Sequence, residues 1–162
     1  MGSGKTSFGR RLAAELGWEF VDLDQYIIAK EKKSVNEIFA EGGEKRFREL
    51  ETCYLEETTS STGNRVLSLG GGTPCFENNW IHIRKTKSIY LRRTPNFLFK
   101  ILHTRKAKRP LIKDLNDKQL LEFITHKLGE RELFYRKADV VLNAYGSRRN
   151  IIDKLIVAIE NQ

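Results

Sequence analysis

Short strand-like runs alternate with helical stretches along this chain, and that alternation leaves few folds open. The runs are "EFVDL" at Glu19–Leu23, "RVLSLGGG" at Arg65–Gly72, "SIYLRR" at Ser88–Arg93 and "DVVLN" at Asp139–Asn143. Each has the length and the β-branched or aromatic content of a strand. Between them the spacing is helical. Lys5–Leu16 carries Phe8, Leu12 and Leu16 on one stripe, and Asp24–Lys30 reads as a second helix, with Asp24 as its N-cap. Ser34-Val35-Asn36-Glu37 is a capping box for a helix ending near Gly42-Gly43, followed by a long charged helix over Glu44–Ser60. Pro95–Thr104, Asp117–Lys137 and Arg149–Glu160 complete the helices, with a basic loop over 105–116. Strands alternating with helices predict an α/β domain, a mostly parallel sheet covered on both faces. Such folds bind ligands at the carboxyl ends of their strands, which directs attention to Asp22, Asp24 and Gly70–Gly72.

The 162 residues suit one domain, and 40% apolar with 31% charged residues is the balance of a globular protein. No apolar run reaches membrane-spanning length, so no membrane partner is expected. The opening residues lack the apolar core of a secretory leader. Two cysteines, Cys53 and Cys75, are too few for a disulfide framework, and the expected location is the reducing cytoplasm. His82, His103 and His126 form no metal-ligand spacing with them. The net charge of +8 calls for anionic partners. Aromatic residues are not interleaved with the basic ones as in RNA-binding surfaces, so the expected anions are small molecules rather than nucleic acid.

The chain opens on Met1-Gly2-Ser3-Gly4-Lys5-Thr6, the end of a phosphate-binding loop whose first glycine would precede Met1. In such a loop, backbone N–H groups and the helix N-terminus cradle phosphates, the lysine neutralises them and the hydroxyl binds magnesium. An ordinary flexible helix start fits the same residues. In "VDLDQY", Asp22 and Asp24 would share one face of an extended segment; they suit a metal and a substrate hydroxyl, or a helix cap and a solvated acid. The three glycines Gly70, Gly71 and Gly72 exceed what a tight turn needs and favour close approach of backbone to a ligand. Arg48, flanked by Glu44 and Glu51, and Arg131 in "ERELFY" are either surface ion pairs or guanidinium forks for a substrate carboxylate. The basic run with Arg105, Lys106, Lys108 and Arg109 is either a solvated surface or a lid that closes an arginine on transferring phosphates.

In order and over essentially the whole chain, MGSGKT, the LGWEFVDLD run, IFAEGGEKRFRELE, VLSLGGG, RPLI and RELFYRKAD resemble the shikimate kinase family. The resemblance implies a three-layer P-loop kinase fold in a single domain spanning 1–162. It implies transfer of the ATP γ-phosphoryl group to the 3-hydroxyl of shikimate, in chorismate and aromatic amino-acid biosynthesis. It also implies ATP and Mg2+ as cofactors, and a monomer. Carried over residue by residue, Gly2, Ser3, Gly4, Lys5, Thr6 and Ser7 would hold the nucleotide. Thr6 and Asp22 would serve the magnesium, Asp22 through water. Asp24 would be the base, with Lys5 and Arg109 as the other catalytic groups. Arg48 and Arg131 would clamp the shikimate carboxylate, Gly70–Gly72 would meet the ring hydroxyls, Phe47 would pack beside the ring and Glu51 would orient Arg48. The substrate segment would run over about 24–51 and the lid over about 105–116.

Two departures accompany the resemblance. The family's first, central strand and first loop glycine are absent, so the chain is expected to be clipped, with a gap in the sheet beside the phosphate loop. Where many relatives place an adenine-stacking arginine stands Leu102, leaving Arg105 and the Ser147–Arg149 stretch as the nearest candidates. The rivals are a gluconate-type P-loop kinase, a non-catalytic nucleotide or nucleic-acid binder, and a truncated inactive homologue.

Overall fold

The computed structural model describes residues 2–106 and 111–160. Helix α1 (Lys5–Leu16) ends at Gly17, whose φ of 67° is the left-handed closure that glycine adopts without strain. Strand β1 (Glu19–Asp22) leads directly into α2 (Leu23–Glu31). The cap of α2 is Asp22, which accepts from the Gln25 N–H, and not Asp24, which lies inside the first turn. The strand thus stops one residue earlier than its apolar run suggests, because the cap carboxylate holds the turn in place.

Helix α3 (Val35–Ser60) opens on the expected capping box: Ser34 Oγ accepts from the Glu37 N–H, and the Glu37 carboxylate accepts from the Ser34 N–H. Gly43, at φ 66° and ψ −168°, breaks this helix where the sequence predicted its division. Strand β2 (Arg65–Ser68) runs into the glycines, followed by two 3-10 turns (Thr73–Cys75, Glu77–Asn79) and α4 (Trp80–Ile83). Those three short elements were not legible in the sequence. Strand β3 (Ile89–Arg92), α5 (Pro95–His103), α6 (Asp117–Tyr135), β4 (Val140–Asn143) and α7 (Arg148–Glu160) follow.

All described strand pairing is parallel, but the strands form two separate pairs, β1 with β2 and β3 with β4. Val21 lies opposite Leu67 in one pair, and Leu91 opposite Leu142 in the other. Each of β2 and β3 therefore keeps one edge without a strand partner among the described residues. Both line a cavity of about 1440 Å³ that also reaches the N-terminus of α1. The sheet is thus divided beside the phosphate loop, between β2 and β3.

The pleat of β3 shows helices on both faces. Ile89 and Leu91 pack in a cluster with Phe8 and Leu12 of α1 and Ile151, Ile152 and Leu155 of α7. Tyr90 and Arg92, pointing the other way, both hydrogen-bond Glu132 of α6. A second cluster joins α2, α3 and α4 through Leu23, Ile27, Leu55 and Trp80. A third joins α5 to α6 through Leu98, Leu102, Leu120 and Ile124.

Candidate active site

The N-terminus of α1 is built to receive an anion. Its cap, Gly4, has φ 90°, accessible at little cost only to glycine, and no side chain caps the helix. No acidic residue stands in the first turn, so the first N–H groups and the positive end of the helix dipole are left for a ligand. Gly2 (φ 74°) approaches α5 closely: a Cβ there would stand 3.3 Å from the Leu102 side chain. Leu102 itself is a core residue, 1% exposed. Gly2, Ser3, Gly4, Lys5, Thr6 and Ser7 all line the large cavity.

Thr6 donates its hydroxyl to the Asp22 carboxylate at 2.9 Å. Two hard oxygen groups side by side, next to a phosphate cradle, fit Mg2+, which takes few protein ligands and completes its shell with water and phosphate oxygens. Among the described residues no cluster of three or more His, Cys, Asp or Glu side chains could hold a metal.

Asp24 faces the same region from α2. Burial raises its pKa above the usual carboxylate value; Lys5 pulls it down, the neighbouring Asp22 pushes it up, and Arg48 pulls it down. Those influences place Lys5, Asp22 and Arg48 around one carboxylate. Asp22 and Asp24 are neighbours here through a strand-to-helix junction rather than through one face of an extended strand.

Arg48 is held on several sides. Glu51 accepts from Nη1 at 2.8 Å and Glu44 from Nη2 at 3.0 Å, while the Phe47 and Phe76 rings flank the guanidinium at 5.4 and 4.8 Å. Glu51 is 1% exposed and also accepts from the Thr73 hydroxyl at 2.6 Å. Asn79 donates to the Thr73 carbonyl and accepts from Thr52, extending the buried network into the 3-10 turns. Phe47 is buried beneath Arg48.

The glycine run fits into this framework by lacking side chains. A Cβ on Gly72 would stand 2.8 Å from both Nη atoms of Arg48. One on Gly70 would stand 3.0–3.1 Å from Thr73 Oγ1, Asp24 Oδ1 and Glu51 Oε1. The Gly71 carbonyl accepts from Tyr135 of α6 at 2.6 Å. Arg131 lies one turn before Tyr135, and both Arg131 and Arg48 act electrostatically on Cys75, whose thiol is raised first by burial. Lys5, Asp22, Asp24, Arg48, Gly70–Gly72 and Arg131 are therefore gathered from distant parts of the chain. Arg109 lies outside the described residues, as does the 107–110 part of the lid.

Sequence reasoning passed over Thr73, Asn79 and Tyr135. Tyr135 had a signal: it stands four residues after Arg131, on the same helical face. Thr73 and Asn79 had none, because their partners are far away in sequence.

A phosphate cradle opening α1, a threonine–aspartate pair at the end of a parallel strand and a carboxylate among cations define a P-loop small-molecule kinase. The family model described as shikimate kinase matches residues 1–160. The shikimate kinase of Bacteroides thetaiotaomicron is 41% identical over 145 residues, 89% of this chain and 82% of that protein. A crystal structure of shikimate kinase from the same organism superposes with a TM-score of 0.90 at 37% identity, covering 99% of this chain and 94% of that one. Shikimate kinase from Acinetobacter baumannii, solved in complex with shikimate, gives 0.82 at 32% identity over 100% and 90% of the two chains. This chain belongs to the shikimate kinase family. Its activity is ATP- and Mg2+-dependent phosphorylation of the shikimate 3-hydroxyl, giving shikimate 3-phosphate and ADP in aromatic amino-acid biosynthesis. The gluconate-type and inactive alternatives are not favoured.

Proposed function

We propose that the gathered residues divide this reaction as follows. Backbone N–H groups from Gly2 to Ser7 and the start of α1 hold the ATP phosphates, and Lys5 neutralises their charge. Thr6 and, through water, Asp22 would hold Mg2+, which when bound would offset the charge developing on the phosphates. Arg48 and Arg131 bind the shikimate carboxylate, Phe47 and the Gly70–Gly72 turn border the ring, and Glu51 fixes the direction of Arg48. Asp24 accepts the proton of the 3-hydroxyl as its oxygen bonds to the γ-phosphorus and the bond to the ADP oxygen breaks. Arg109 serves the phosphates from the lid. The substrate segment is 24–51 and the lid 105–116, within one domain.

The observation that carries this reading is the environment of Asp24: a carboxylate raised by burial, yet set among Lys5, Asp22 and Arg48. Such a group takes up a proton more readily than a solvated carboxylate does. In this reading the enzyme acts as a cytoplasmic monomer without nucleic-acid or membrane partners. The test is ADP release with ATP, Mg2+ and either shikimate or gluconate. Release that depends on shikimate in the parent protein and is lost in Asp24→Asn, with ATP still bound, supports the assignment. Near-parental turnover by Asp24→Asn removes Asp24 as the base.

A further inference from the structure

Arg93 is a charged residue for which the assigned roles have no use. It stands between β3 and α5 and is only 7% exposed. Its Nε is buried without a hydrogen-bond partner. No ion pair or hydrogen bond joins the side chain to any described residue. What it has instead is aromatic: the guanidinium lies 4.1 Å from the centre of the Phe97 ring and 5.8 Å from that of Phe8. A cation–π contact covers a face of the guanidinium but does not satisfy its in-plane N–H donors, of which Nε is the buried one.

That state is expensive. Arginine cannot shed its proton to escape burial, and a buried donor left unsatisfied costs about 1–3 kcal/mol. Burial depresses its pKa, with the Tyr145 hydroxyl only partly opposing this. An arginine kept in such a place needs an anion that arrives from outside.

The surroundings say which anion. Arg93 lines the same cavity as Gly2, Gly4, Lys5 and Thr6. Phe8, whose ring it borders, reaches within 3.0 Å of where a Cβ on Gly4 would stand. Phe97, the other ring, precedes Leu98, which together with Leu102 packs at Gly2. The guanidinium therefore sits about one aromatic ring from the phosphate cradle.

We propose that Arg93 is a ligand of the nucleotide's phosphate chain, its donors directed from the β3–α5 junction and its faces packed by Phe97 and Phe8. The proposal rests on the reading of α1 as the phosphate site. It adds a third cation, besides Lys5 and Arg109, and places it on a described and packed part of the fold.

The test uses the whole chain and calorimetric titration with Mg·ATP and, separately, inorganic tripolyphosphate, in the parent protein, Arg93→Met and Arg93→Lys. In Arg93→Met the affinity for both ligands falls by about tenfold or more, the scale of a lost hydrogen bond to a charged group. Arg93→Lys, which keeps the charge, retains most of it. Shikimate affinity stays within about twofold in both variants. The ligand-free Arg93→Met protein melts no lower than the parent, because a buried donor without a partner has been replaced by an apolar chain. A purely structural arginine would show the reverse, a lower melting temperature with unchanged affinity, and that result overturns the proposal. So does a loss of ATP affinity with tripolyphosphate unaffected, which would assign Arg93 to the base or ribose. If the parent protein binds neither ligand, the phosphate-site reading falls and this inference with it. If the parent binds both and Arg93→Met binds them equally, this inference falls alone.

Discussion

Adding one methyl group at Gly72 should damage shikimate binding while leaving the fold and ATP binding intact. Gly72 has φ −92° and ψ −27°, a right-handed conformation that alanine adopts without strain. The whole effect must then come from what the new Cβ meets, namely Arg48 Nη1 and Nη2 at 2.8 Å. Ordinary contact begins at 3.4 Å, so the guanidinium must retreat by about 0.6 Å. A guanidinium is the far end of a flexible chain, so the retreat costs little stability. It cannot retreat freely, however, since Glu44, Glu51, Phe47 and Phe76 hold it. Misplacing a positioning group by about 1 Å can cost about a hundredfold in rate, so 0.6 Å should cost about tenfold, or ~1.4 kcal/mol. The expected result for Gly72→Ala is a shikimate KM raised about tenfold, an ATP KM within about twofold and a nearly unchanged melting temperature. Steady-state kinetics with each substrate varied, alongside a melting curve, reads all three. An unchanged shikimate KM would refute Arg48 as the carboxylate clamp, and an equal rise for both substrates would refute its specificity.

Gly70→Ala, whose Cβ presses on Asp24 and Glu51 at 3.1 Å, should instead lower kcat more than it raises the shikimate KM, measured in the same assay. Arg131→Ala should weaken shikimate binding by ~1.5–3 kcal/mol with little effect on ATP, as read by titration; equal losses would mean a structural role. Tyr135→Phe leaves the Gly71 carbonyl without its phenol donor and should lower kcat/KM for shikimate, with no change in ATP affinity. Because the folded-state pKa of Asp24 is raised, its stabilising contribution is present below the unfolded carboxylate pKa and lost as pH rises through the folded value. Asp24→Asn should therefore raise the melting temperature at neutral pH and leave it almost unchanged in acid. Parental kcat/KM should fall on the acid side at a pH above the ordinary carboxylate range, and a fall only within that range would argue against the burial of Asp24.

By itself the sequence determined what depends on near neighbours. The bounds of α1, the capping box at Ser34–Glu37 and the break at Gly43 follow from side chains within a few residues of the backbone they control. The phosphate cradle is equally local, since Gly2, Gly4, Lys5 and Thr6 adjoin the helix they open. Four strands and their parallel sense followed from alternation. Tertiary structure alone decided where one local signal was outcompeted and where partners are remote. Asp22 rather than Asp24 caps α2, because Asp22 is the last residue of β1 and its carboxylate serves both the Gln25 N–H and Thr6. Glu51 acquires Thr73, and Gly71 acquires Tyr135, across sequence separations of 22 and 64 residues. Arg93 reads in sequence as one more cation in a basic chain. Only the packing of Phe8 and Phe97 around it leaves its Nε buried without a partner among the described residues, because desolvation is a property of the surroundings and not of the residue.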